Sequence, residues 1–600
     1  MLAAALVCGS FFPTYAVQAV TTPILKTLPD GTQIEVVLHG DEKFHYETLT
    51  DGTMVAQKSD GFYYYATANK DGIEAMPYRV GAALPSNVRM QSKQALGSVL
   101  SELQKKSEER WNQPMQKASR MEASMGEHGL VILVNFKDVE MKYDRQVYDD
   151  MLNKEGFTDY AHKGSARDYF VASSYGQFTP QFDVLGPYTL SQKQSYYGAN
   201  GYSGDLRVPD MIVEACQLAS ADGHDLSKYD ENNDGKIDNV YVFYAGEGEA
   251  TGGDSNTIWP HRWIVMPGYN FSGNNVVNGV EIYDYATSNE IYTALESVVE
   301  TDFSGVGTFI HEFSHVLGLP DLYVTDYGRH QDPDIYDVMS AGNNLYAGRV
   351  PMGYSAYERM FAGWLTPKQI FPSRDGDKMT LQPIEEGEVL LLTEDGQEHN
   401  LDGRDPSPVT FYLIENRSGE GWDAYANYSA SGSHYTVRGD KGLLITRVKY
   451  DAGRWENNEV NNYRNDMGVM YKYNTAQSNF YPMFPGKRAQ TSLIFGKKDN
   501  YKIYDIVRDE ETGAVSFSIS DEFGEANSSV KGLTEQDFYA IGGTGALDVF
   551  GDGATAVEVY TPSGAKVYAG NDRQVRLAAG LYIVKLQNAG KVSTQKIVVR

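Results

Sequence analysis

The stretch from His311 to Asp321 constrains the fold of this chain more than any other segment. His311 and His315, four residues apart, lie on one face of a helix and can aim their rings at the same point. Gly318 can adopt the positive φ that ends such a helix, and Pro320 favours a non-helical exit. The chain can then turn back and bring the Asp321 carboxylate to the two imidazoles. The segment therefore predicts a helix, a sharp turn and a metal site with three protein ligands.

This ligand set is the one that zinc takes in hydrolytic proteins. Such sites have three protein ligands and an open position for water, whose pKa the ion lowers towards neutrality. Glu312 lies beside the ion and not on it, so we expect it to act as the general base that takes the proton of that water and later passes it to a leaving amine. With 11 histidines in 600 residues, the pattern rarely arises by chance. The residues predict a metallopeptidase.

The extended pattern, His-Glu-x-x-His-x-x-Gly-x-Pro-Asp, resembles the zinc motif of the metzincin metallopeptidases. With aspartate as the third ligand it is most similar to the immune inhibitor A family, and the resemblance covers about half of the chain, from near Gly129 to the segment around Asp451. The resemblance implies a metzincin-like zinc peptidase domain in which the two histidines and Asp321 bind zinc. The implied function is that of a secreted endopeptidase.

Metzincins carry a methionine turn beneath the ion, and Met339 matches its position after the third ligand. The alternative role for Met339 is that of a core residue, since methionine fills irregular gaps. Some metzincins steady the oxyanion with a tyrosine two residues after this methionine, but Ala341 occupies that position here. Tyr346 and Tyr354 are the substitutes that the neighbouring sequence offers. His261 lies in a turn rich in proline and tryptophan, so we expect it to be structural.

A second group of oxygen-bearing side chains precedes the metal helix. Its spacing, with a glycine at the sixth position, is that of a calcium loop of the EF-hand type. The predicted ligands are the side chains of Asp230, Asn232, Asp234 and Asp238 and the backbone carbonyl of Lys236. Tyr241 replaces the glutamate expected at position 12, and a buried strand follows instead of a helix. The segment predicts a calcium-binding turn, which the immune inhibitor A resemblance also favours; a polar turn without an ion is the alternative.

The length of the chain, 600 residues, exceeds what one hydrophobic core supports. The predicted fold class is α+β and multidomain, with the metzincin-like zinc peptidase domain flanked by an N-terminal β-rich prodomain and C-terminal β-sandwich domains. The predicted regions are a signal peptide (1–19), a propeptide or N-terminal domain (20–125), a catalytic domain (126–367), a β-rich domain (368–522), a linker (523–542) and a C-terminal β-sandwich (543–600).

The first residues are typical of an exported protein. Residues 1–19 carry no charge and contain an apolar run followed by small residues at Ala16 and Ala19, as in a secretory signal, although without a positive start. Cys8 belongs to this leader, which leaves Cys216 alone in the mature chain and allows no intramolecular disulfide. Cys216 lies on the apolar side of a predicted helix, which indicates a buried thiol. No later segment is apolar enough to be a transmembrane helix.

Asp-Gly turns separate short apolar and aromatic runs between Thr27 and Val80, which predicts a small antiparallel β-domain. A charged helical segment follows, and then Lys117 and Arg120 in a loop-like stretch that suits processing by a protease. We interpret residues 20–125 as a propeptide that keeps a zinc enzyme latent. This region contains no cysteine that could block the open position on the metal. Latency therefore requires a carboxylate, another side chain or steric cover at that position. A permanent N-terminal domain that shapes the cleft is the alternative.

Residues 543–600 alternate as the strands of a small β-sandwich. The turn at 562–564, the strand at 580–584 and the basic-ended terminus resemble the C-terminal sorting domain of the type IX secretion system. This resemblance implies the type IX secretion machinery as a partner and a bacterial protein that is secreted or held at the cell surface. A generic immunoglobulin-like binding domain is the alternative.

The net charge of −28 argues against a nucleic-acid role, because phosphate binding needs clustered cations. The expected partners are protein or peptide substrates. The sequence thus predicts a secreted zinc-dependent endopeptidase that uses zinc-activated water, with calcium as a second metal. The alternative function is a catalytically inactive surface adhesin or carbohydrate-binding protein on a peptidase-like scaffold. The intact Glu312 counts against that alternative.

Overall fold

The computed structural model describes residues 23–41, 43–82, 99–107, 128–201, 204–292, 301–324, 332–424, 441–462, 464–469, 483–486, 491–524, 538–543, 545–551, 556–588 and 591–599. The predicted signal peptide, the processing points Lys117 and Arg120 and most of the predicted linker lie outside these residues. The chain separates into two compact units, one of residues 1–371 and 378–518 and one of residues 372–377 and 519–600. The predicted multidomain combination of helices and sheets is confirmed.

The N-terminal region is an antiparallel meander in which each strand pairs with the next. Its strands are β1 Ile24–Thr27, β2 Gln33–Gly40, β3 His45–Leu49, β4 Met54–Gln57, β5 Tyr63–Asn69 and β6 Gly72–Arg79. Tight turns join them, and Gly31 has the positive φ that such a turn requires. Residues 99–107 are helical and pack Leu100 and Leu103 against Phe44 and Met54 of the meander. The small antiparallel β-domain predicted for this region is present.

The N-terminal sheet packs against a segment of the next region. Lys26 Nζ donates hydrogen bonds to the carbonyl oxygens of Gly252 and Gly253, at 2.6 and 2.9 Å. The His45 ring stacks on Trp259 with 4.5 Å between ring centroids, and its Nε2 lies 3.2 Å from Glu249 Oε1. Burial lowers the pKa of His45, but the Glu249 carboxylate outweighs it and raises the pKa to about 9. This contact is therefore a buried, charge-paired interface.

A mixed sheet forms the centre of the following region. Its strands are β7 His128–Asn135, β8 Gln181–Thr189, β11 Val240–Glu247, β12 His261–Ile264 and β15 Asp284–Ile291. The order among these described strands is β12-β15-β11-β7-β8, and every pair is parallel except β12 with β15. Short two-stranded ladders join β9 Asn200–Gly201 to β10 Gly204–Asp205 and β13 Val276–Val277 to β14 Val280–Glu281. Helices cover both faces, which explains the almost continuous apolar runs in the strands.

The alternation of side chains along β7 separates the two cores. Val131 and Leu133 point into the core that contains the predicted metal helix, whereas Leu130, Ile132 and Val134 point into the opposite core. The helices of this region are α1 Arg145–Asn153, α2 Ala166–Ser173, α3 Gln194–Tyr197, α4 Val208–Ala221, α5 Gly307–Val316 and α6 Ala356–Phe361. Cys216 lies in α4 on the opposite core, fully buried, as its position on the apolar side predicted.

In the described part of the β-rich region that follows, the chain forms two sheets and one short α-helix, α7 Ala452–Glu456. One sheet contains β16 Lys368–Gln369, β18 Leu390–Thr393, β19 Thr410–Arg417, β20 Gly442–Lys449 and β21 Met467–Val469, with β22 Phe484–Pro485 also paired to β20. The other contains β17 Asp377–Leu381, β25 Val515–Asp521, β24 Tyr501–Arg508 and β23 Ser492–Phe495, in that order. Phe411, Leu413 and Val448 of the first sheet belong to the same core as α5. This region therefore supports the metal helix.

The last unit contains two antiparallel sheets that share one apolar core. The strands are β26 Phe538–Gly542, β27 Ala546–Gly551, β28 Ala556–Tyr560, β29 Lys566–Gly570, β30 Gln574–Arg576, β31 Gly580–Asn588 and β32 Lys591–Val599. Leu547 and Val575 of one sheet meet Val557 and Val584 of the other in this core. Two packed antiparallel sheets are a sandwich arrangement. Across the described residues of the whole chain, every helix is too short or too polar to cross a membrane.

Candidate metal centre

Helix α5 carries the predicted metal motif, and its neighbours hold it in place. Phe309 and Phe313 pack their rings against Phe182 of β8, with centroids 4.9 and 5.2 Å apart. The first residue, Gly307, sits so close to the adjacent chain that an added Cβ would lie 2.0 Å from the backbone oxygen of Asn343. After the helix, Gly318 has a φ of 90°. The predicted helix and its glycine stop are both present, and the helix is fixed on the sheet by aromatic packing.

The three predicted ligand atoms converge. Asp321 Oδ1 lies 3.1 Å from His311 Nε2 and 3.3 Å from His315 Nε2. His311 is fully buried, and Asp321 is 4% exposed. Among the described residues, one group of metal-ligating side chains brings its ligand atoms within 4.8 Å of one another, and it contains His311, Glu312 and His315. The turn after Gly318 therefore returns the carboxylate to the two imidazoles as predicted.

The other ring nitrogen of each histidine has its own partner. His311 Nδ1 lies 2.8 Å from the carbonyl oxygen of Val338, and His315 Nδ1 lies 2.7 Å from that of Leu319. A carbonyl only accepts hydrogen bonds, so each Nδ1 carries the proton and donates it. In the neutral ring, which is the form that binds metal, each Nε2 then has its lone pair directed at the shared point. This is the arrangement in which histidines bind metal ions.

The site fits a zinc ion. Within the described residues, His311 Nε2 and Asp321 Oδ1 have no hydrogen-bond partner of acceptable geometry, although both are buried. A tetrahedral zinc ion with ligands at about 2.0–2.1 Å places neighbouring ligand atoms about 3.3 Å apart, which agrees with the observed separations. Two imidazoles and one carboxylate form a catalytic zinc set with a fourth position left for water. The separations of these donor atoms therefore agree with the predicted zinc site.

Glu312 lies beside the ligand atoms. Its Oε2 is 4.0 Å from His315 Nε2, and the residue is 3% exposed. Burial raises the pKa of Glu312, and the charges of His311 and His315 only partly offset this effect. For His311, burial lowers the pKa, but the Asp321 and Glu312 carboxylates outweigh it and raise the value to about 9. Glu312 is therefore a buried carboxylate with raised basicity beside the predicted ligand atoms.

Met339 is completely buried, and its backbone neighbours contact the predicted ligand residues. Its carbonyl oxygen accepts a hydrogen bond from Leu322 N at 2.8 Å, next to the third ligand. The preceding residue, Val338, provides the carbonyl that fixes His311. Asp337 Oδ1 accepts from Met339 N at 2.8 Å and stabilises the turn itself. The segment thus orients two of the three ligands through its backbone, while the methionine side chain fills the core.

The two tyrosines considered for the oxyanion differ in position. Tyr354 is completely buried, and its hydroxyl contacts Ser314 Oγ on the core side of α5, so it does not face a substrate. Tyr346 is partly exposed and has a positive φ of 52°. His261 contacts the carbonyl oxygen of Trp259 through Nδ1 at 2.7 Å and the hydroxyl of Tyr285 through Nε2 at 2.9 Å. These contacts agree with the structural role predicted for His261.

The five residues predicted to bind calcium form a compact polar loop before β11, with Asn233 and Gly235 at positive φ. Its side-chain oxygens accept hydrogen bonds from backbone N–H groups of the same loop. Asp230 accepts from Asp234 N and Gly235 N at 3.0 Å each, and Asp234 Oδ1 accepts from Lys236 N at 2.9 Å. Asp238 Oδ1 accepts from the Asn232 amide at 2.9 Å. The loop therefore has the turn geometry of the predicted site, and calcium binding stays a prediction.

The structure adds residues near the site that the sequence did not reveal. Arg262 of β12 forms a partly buried ion pair with Asp284 of β15, with Nε 2.9 Å from Oδ1, and its charge acts to lower the pKa of Glu312. Asn458 hydrogen-bonds to Asp321 from a position 137 residues further along the chain. Neither residue belongs to a recognisable motif. Only strand pairing and the packing of the β-rich region bring them to the metal centre.

A family of known proteins matches the part of the chain that carries this site. Residues 127–365 match the family profile described as "Immune inhibitor A peptidase M6, catalytic domain". The matched range contains the three ligand residues, Glu312 and Met339 and ends before the β-rich region. The prediction of a metallopeptidase domain related to immune inhibitor A is confirmed at the level of this domain.

Similar proteins carry metallopeptidase names. The chain is 28% identical over 278 residues to "Pre-pro-metalloprotease PrtV" of Vibrio cholerae, an alignment that covers 39% of this chain and 29% of that protein. It is 28% identical over 272 residues to "Immune inhibitor A" of Bacillus thuringiensis subsp. alesti, covering 39% of each. A "Putative secreted metallopeptidase" of Arthroderma benhamiae is 25% identical over 206 residues, which is 30% of this chain and 28% of that protein. The chain thus spans well under half the length of these relatives.

Proposed function

We propose that this protein is a zinc-dependent endopeptidase that hydrolyses peptide bonds in proteins. The observation that carries the proposal is the convergence of His311 Nε2, His315 Nε2 and Asp321 Oδ1, with the Glu312 carboxylate beside them. The family match over residues 127–365 and the names of the relatives support it. The backbone contacts of Val338 and Met339 with His311 and Leu322 support a metzincin-like domain.

The residues of the chain have distinct parts in this reaction. His311, His315 and Asp321 hold the ion, and zinc, when bound, supplies a Lewis acid that polarises the scissile carbonyl and acidifies the attacking water. Glu312 takes the proton of the water as its oxygen bonds to the carbonyl carbon. The same carboxyl then gives that proton to the amine as the carbon–nitrogen bond breaks. Burial makes this carboxylate a stronger base than an exposed glutamate, which suits it to the first step.

The first test is proteolysis by the purified full chain, with casein and a mixed peptide library as substrates. We expect cleavage at internal peptide bonds that stops when 1,10-phenanthroline removes zinc and returns when zinc, but not magnesium, is added back. The metal-free protein cannot activate water, so the loss should be nearly complete. If the full chain cleaves neither substrate, the assay is repeated after limited proteolysis near Arg120. If neither the full chain nor the trimmed chain cleaves the substrates, or if cleavage persists in the presence of the chelator, the proposal is contradicted.

We further propose that the loop formed by residues 230–238 binds calcium. The sequence places oxygen ligands at Asp230, Asn232, Asp234 and Asp238 with the spacing of a calcium loop, and the positive φ of Gly235 suits the sharp turn at its sixth position. The loop leads directly into β11, which pairs with both β7 and β15 in the sheet that carries α5. An ion bound here would stabilise the folded catalytic region by mass action.

Calcium is therefore expected to raise the melting temperature of calcium-free protein, by an amount that corresponds to about 2.7 kcal/mol at a hundred times the dissociation constant. Replacing Asp234 with alanine should abolish this shift. Glu231→Gln is the matched control, because it removes a charge from the same loop at a position that is not a predicted ligand and keeps an oxygen acceptor for His128 N. An unchanged calcium shift in Asp234→Ala is incompatible with a site in this loop.

We also propose roles for the two flanking regions. Residues 20–125 would act as a propeptide, and the buried contacts of Lys26 and His45 with the segment before β12 support an inhibitory or chaperone-like cover. Residues 543–600 would act as a type IX sorting domain of an exported bacterial protein, and their compact sandwich supports an autonomous module. The names "Pre-pro-metalloprotease" and "Putative secreted metallopeptidase" describe exported relatives and support secretion.

A further inference from the structure

The third metal ligand is held from outside the catalytic domain. Asn458 lies in the loop that follows α7, beyond the matched range of residues 127–365. Its side-chain oxygen accepts a hydrogen bond from Asp321 N at 2.7 Å, and its side-chain nitrogen donates to Asp321 Oδ2 at 2.5 Å. One amide thus contacts both the backbone and the carboxylate of the same aspartate. Such a paired contact fixes the position and the rotation of the carboxylate.

The loop that carries Asn458 is anchored by contacts that do not involve the aspartate ligand. Asn461 Nδ2 donates to the carbonyl oxygen of Leu322 at 2.6 Å, and its Oδ1 accepts from the backbone nitrogens of Asp466 and Met467 at 2.8 and 2.7 Å. Val460, between the two asparagines, is completely buried in the core that includes Leu322. Because these contacts hold the loop without the Asn458 side chain, Asn458 can position Asp321.

The two carboxylate oxygens of Asp321 have different partners. Oδ1 is the oxygen that lies near the two histidine Nε2 atoms, and Oδ2 is the oxygen that Asn458 holds. Without the second contact, the carboxylate can rotate about its Cβ–Cγ bond, which is a soft torsion. Asn458 also has a φ of 56°, a left-handed conformation that asparagine tolerates better than most residues. A glycine at this position would accept the same backbone while removing the side chain.

We propose that Asn458 is a positioning residue that orients Asp321 for metal binding, so that the β-rich region completes the metal centre. This inference rests on the proposed function, because it assumes that Asp321 is a zinc ligand. Outer partners of metal ligands typically account for a factor of about 10–100 in metal affinity. Asn458 acts through Asp321 and not on the substrate, so its loss should change zinc affinity.

The test is the zinc dissociation constant of the full chain, measured by competition with a chromophoric chelator. Asn458→Gly, which keeps the backbone conformation, should weaken zinc binding about 10–100-fold. Asn458→Asp should weaken it further, since it replaces the donor with a second carboxylate against Asp321 Oδ2. Asn457→Gly and Asn457→Asp are matched controls, because within the described residues Asn457 makes no hydrogen bond to Asp321, and both should bind zinc like the parent protein.

A second readout separates positioning from a general structural role. The melting temperature of the zinc-free protein should fall for Asn458→Gly because two hydrogen bonds to Asp321 are lost, and the further rise on adding limiting zinc should also be smaller for the variant than for the parent. If the parent binds zinc and the Asn458 variants bind it equally well, the inference is wrong and the proposed function stands. Equal zinc affinity with a lower zinc-free melting temperature also overturns it. A parent protein that binds no zinc, with His311→Ala unchanged from it, overturns both.

Discussion

Glu312→Gln is expected to lower kcat for peptide hydrolysis by a factor on the order of 10²–10⁴. Glutamine has nearly the same shape as glutamate but cannot take a proton from water or return it to the leaving amine. The side chain is buried beside the predicted ligand atoms, 4.0 Å from His315 Nε2. Steady-state kinetics on a peptide identified in the library assay measure the effect.

Two further measurements identify the cause of that loss. Zinc content and melting temperature of Glu312→Gln should match the parent protein, because Glu312 is not one of the three proposed ligands. Asp321→Asn is the contrasting variant, since it removes the charge of a ligand and should lose zinc and activity together. Retention of parental kcat by pure, zinc-loaded Glu312→Gln protein would falsify the general-base role. Loss of zinc from Glu312→Gln would instead show that the carboxylate is a ligand.

Arg417→Met is expected to destabilise the unit that contains the metal centre by about 3–5 kcal/mol. Arg417 is 1% exposed and forms ion pairs with Glu415, at 2.9 Å, and with Asp423. It also donates to the carbonyl oxygen of Gly353 at 2.9 Å. The Asp423 and Glu415 charges outweigh burial and raise the pKa of the guanidinium. Methionine has a similar volume but leaves the two carboxylates buried and without their cation.

This change should reach the metal helix through a short chain of contacts. Glu415 Oε2 accepts a hydrogen bond from Ala356 N at 2.6 Å at the start of α6. Just before α6, Tyr354 contacts Ser314 of α5 through its hydroxyl. Loss of the arginine therefore loosens the strand β19, the start of α6 and the back of the metal helix together. Lower zinc affinity is expected to accompany the lower stability.

Denaturant unfolding followed by tryptophan fluorescence measures the effect of Arg417→Met. Lys441→Met is the control, because it removes a cation from an exposed ion pair with Glu510 in the same region and should change the midpoint little. The triple variant Arg417→Met, Glu415→Gln, Asp423→Asn should regain part of the lost free energy of unfolding, because it also removes the two buried carboxylate charges that lack a cation. Equal midpoints for Arg417→Met and Lys441→Met would contradict the assigned role of the buried network.

The metal motif was predictable because its information is local. The helix, its end at Gly318 and the return of Asp321 all follow from residues within eleven positions, where spacing alone determines which side chains share a face. The same holds for the Asp-Gly turns of the N-terminal meander and for the apolar runs that became β7 and β11. The Met-turn role of Met339 stays a prediction, and it depended on the resemblance to metzincins, because a lone methionine carries no such signal.

Other parts of the site depend on contacts between distant segments. The carbonyl of Val338 that fixes the His311 tautomer belongs to backbone, which carries no sequence signature. Arg262 reaches the neighbourhood of Glu312 because β12 pairs antiparallel with β15, and an isolated arginine in a short strand does not predict that pairing. The buried network around Arg417 likewise joins residues from a strand, a turn and a helix start.

The sequence by itself determined which groups this site contains: two imidazoles and the Glu312 carboxylate at helical spacing, followed by a glycine that lets the chain return with Asp321. Only the tertiary structure decided the orientation, the tautomers and the burial of these side chains. The tautomers, the burial of Glu312 and the hold of Asn458 on Asp321 arise where segments up to 137 residues apart pack into one core. Ligand identity is a property of residue type and local spacing, whereas ligand orientation depends on long-range hydrogen bonds, and these form only when the chain is folded.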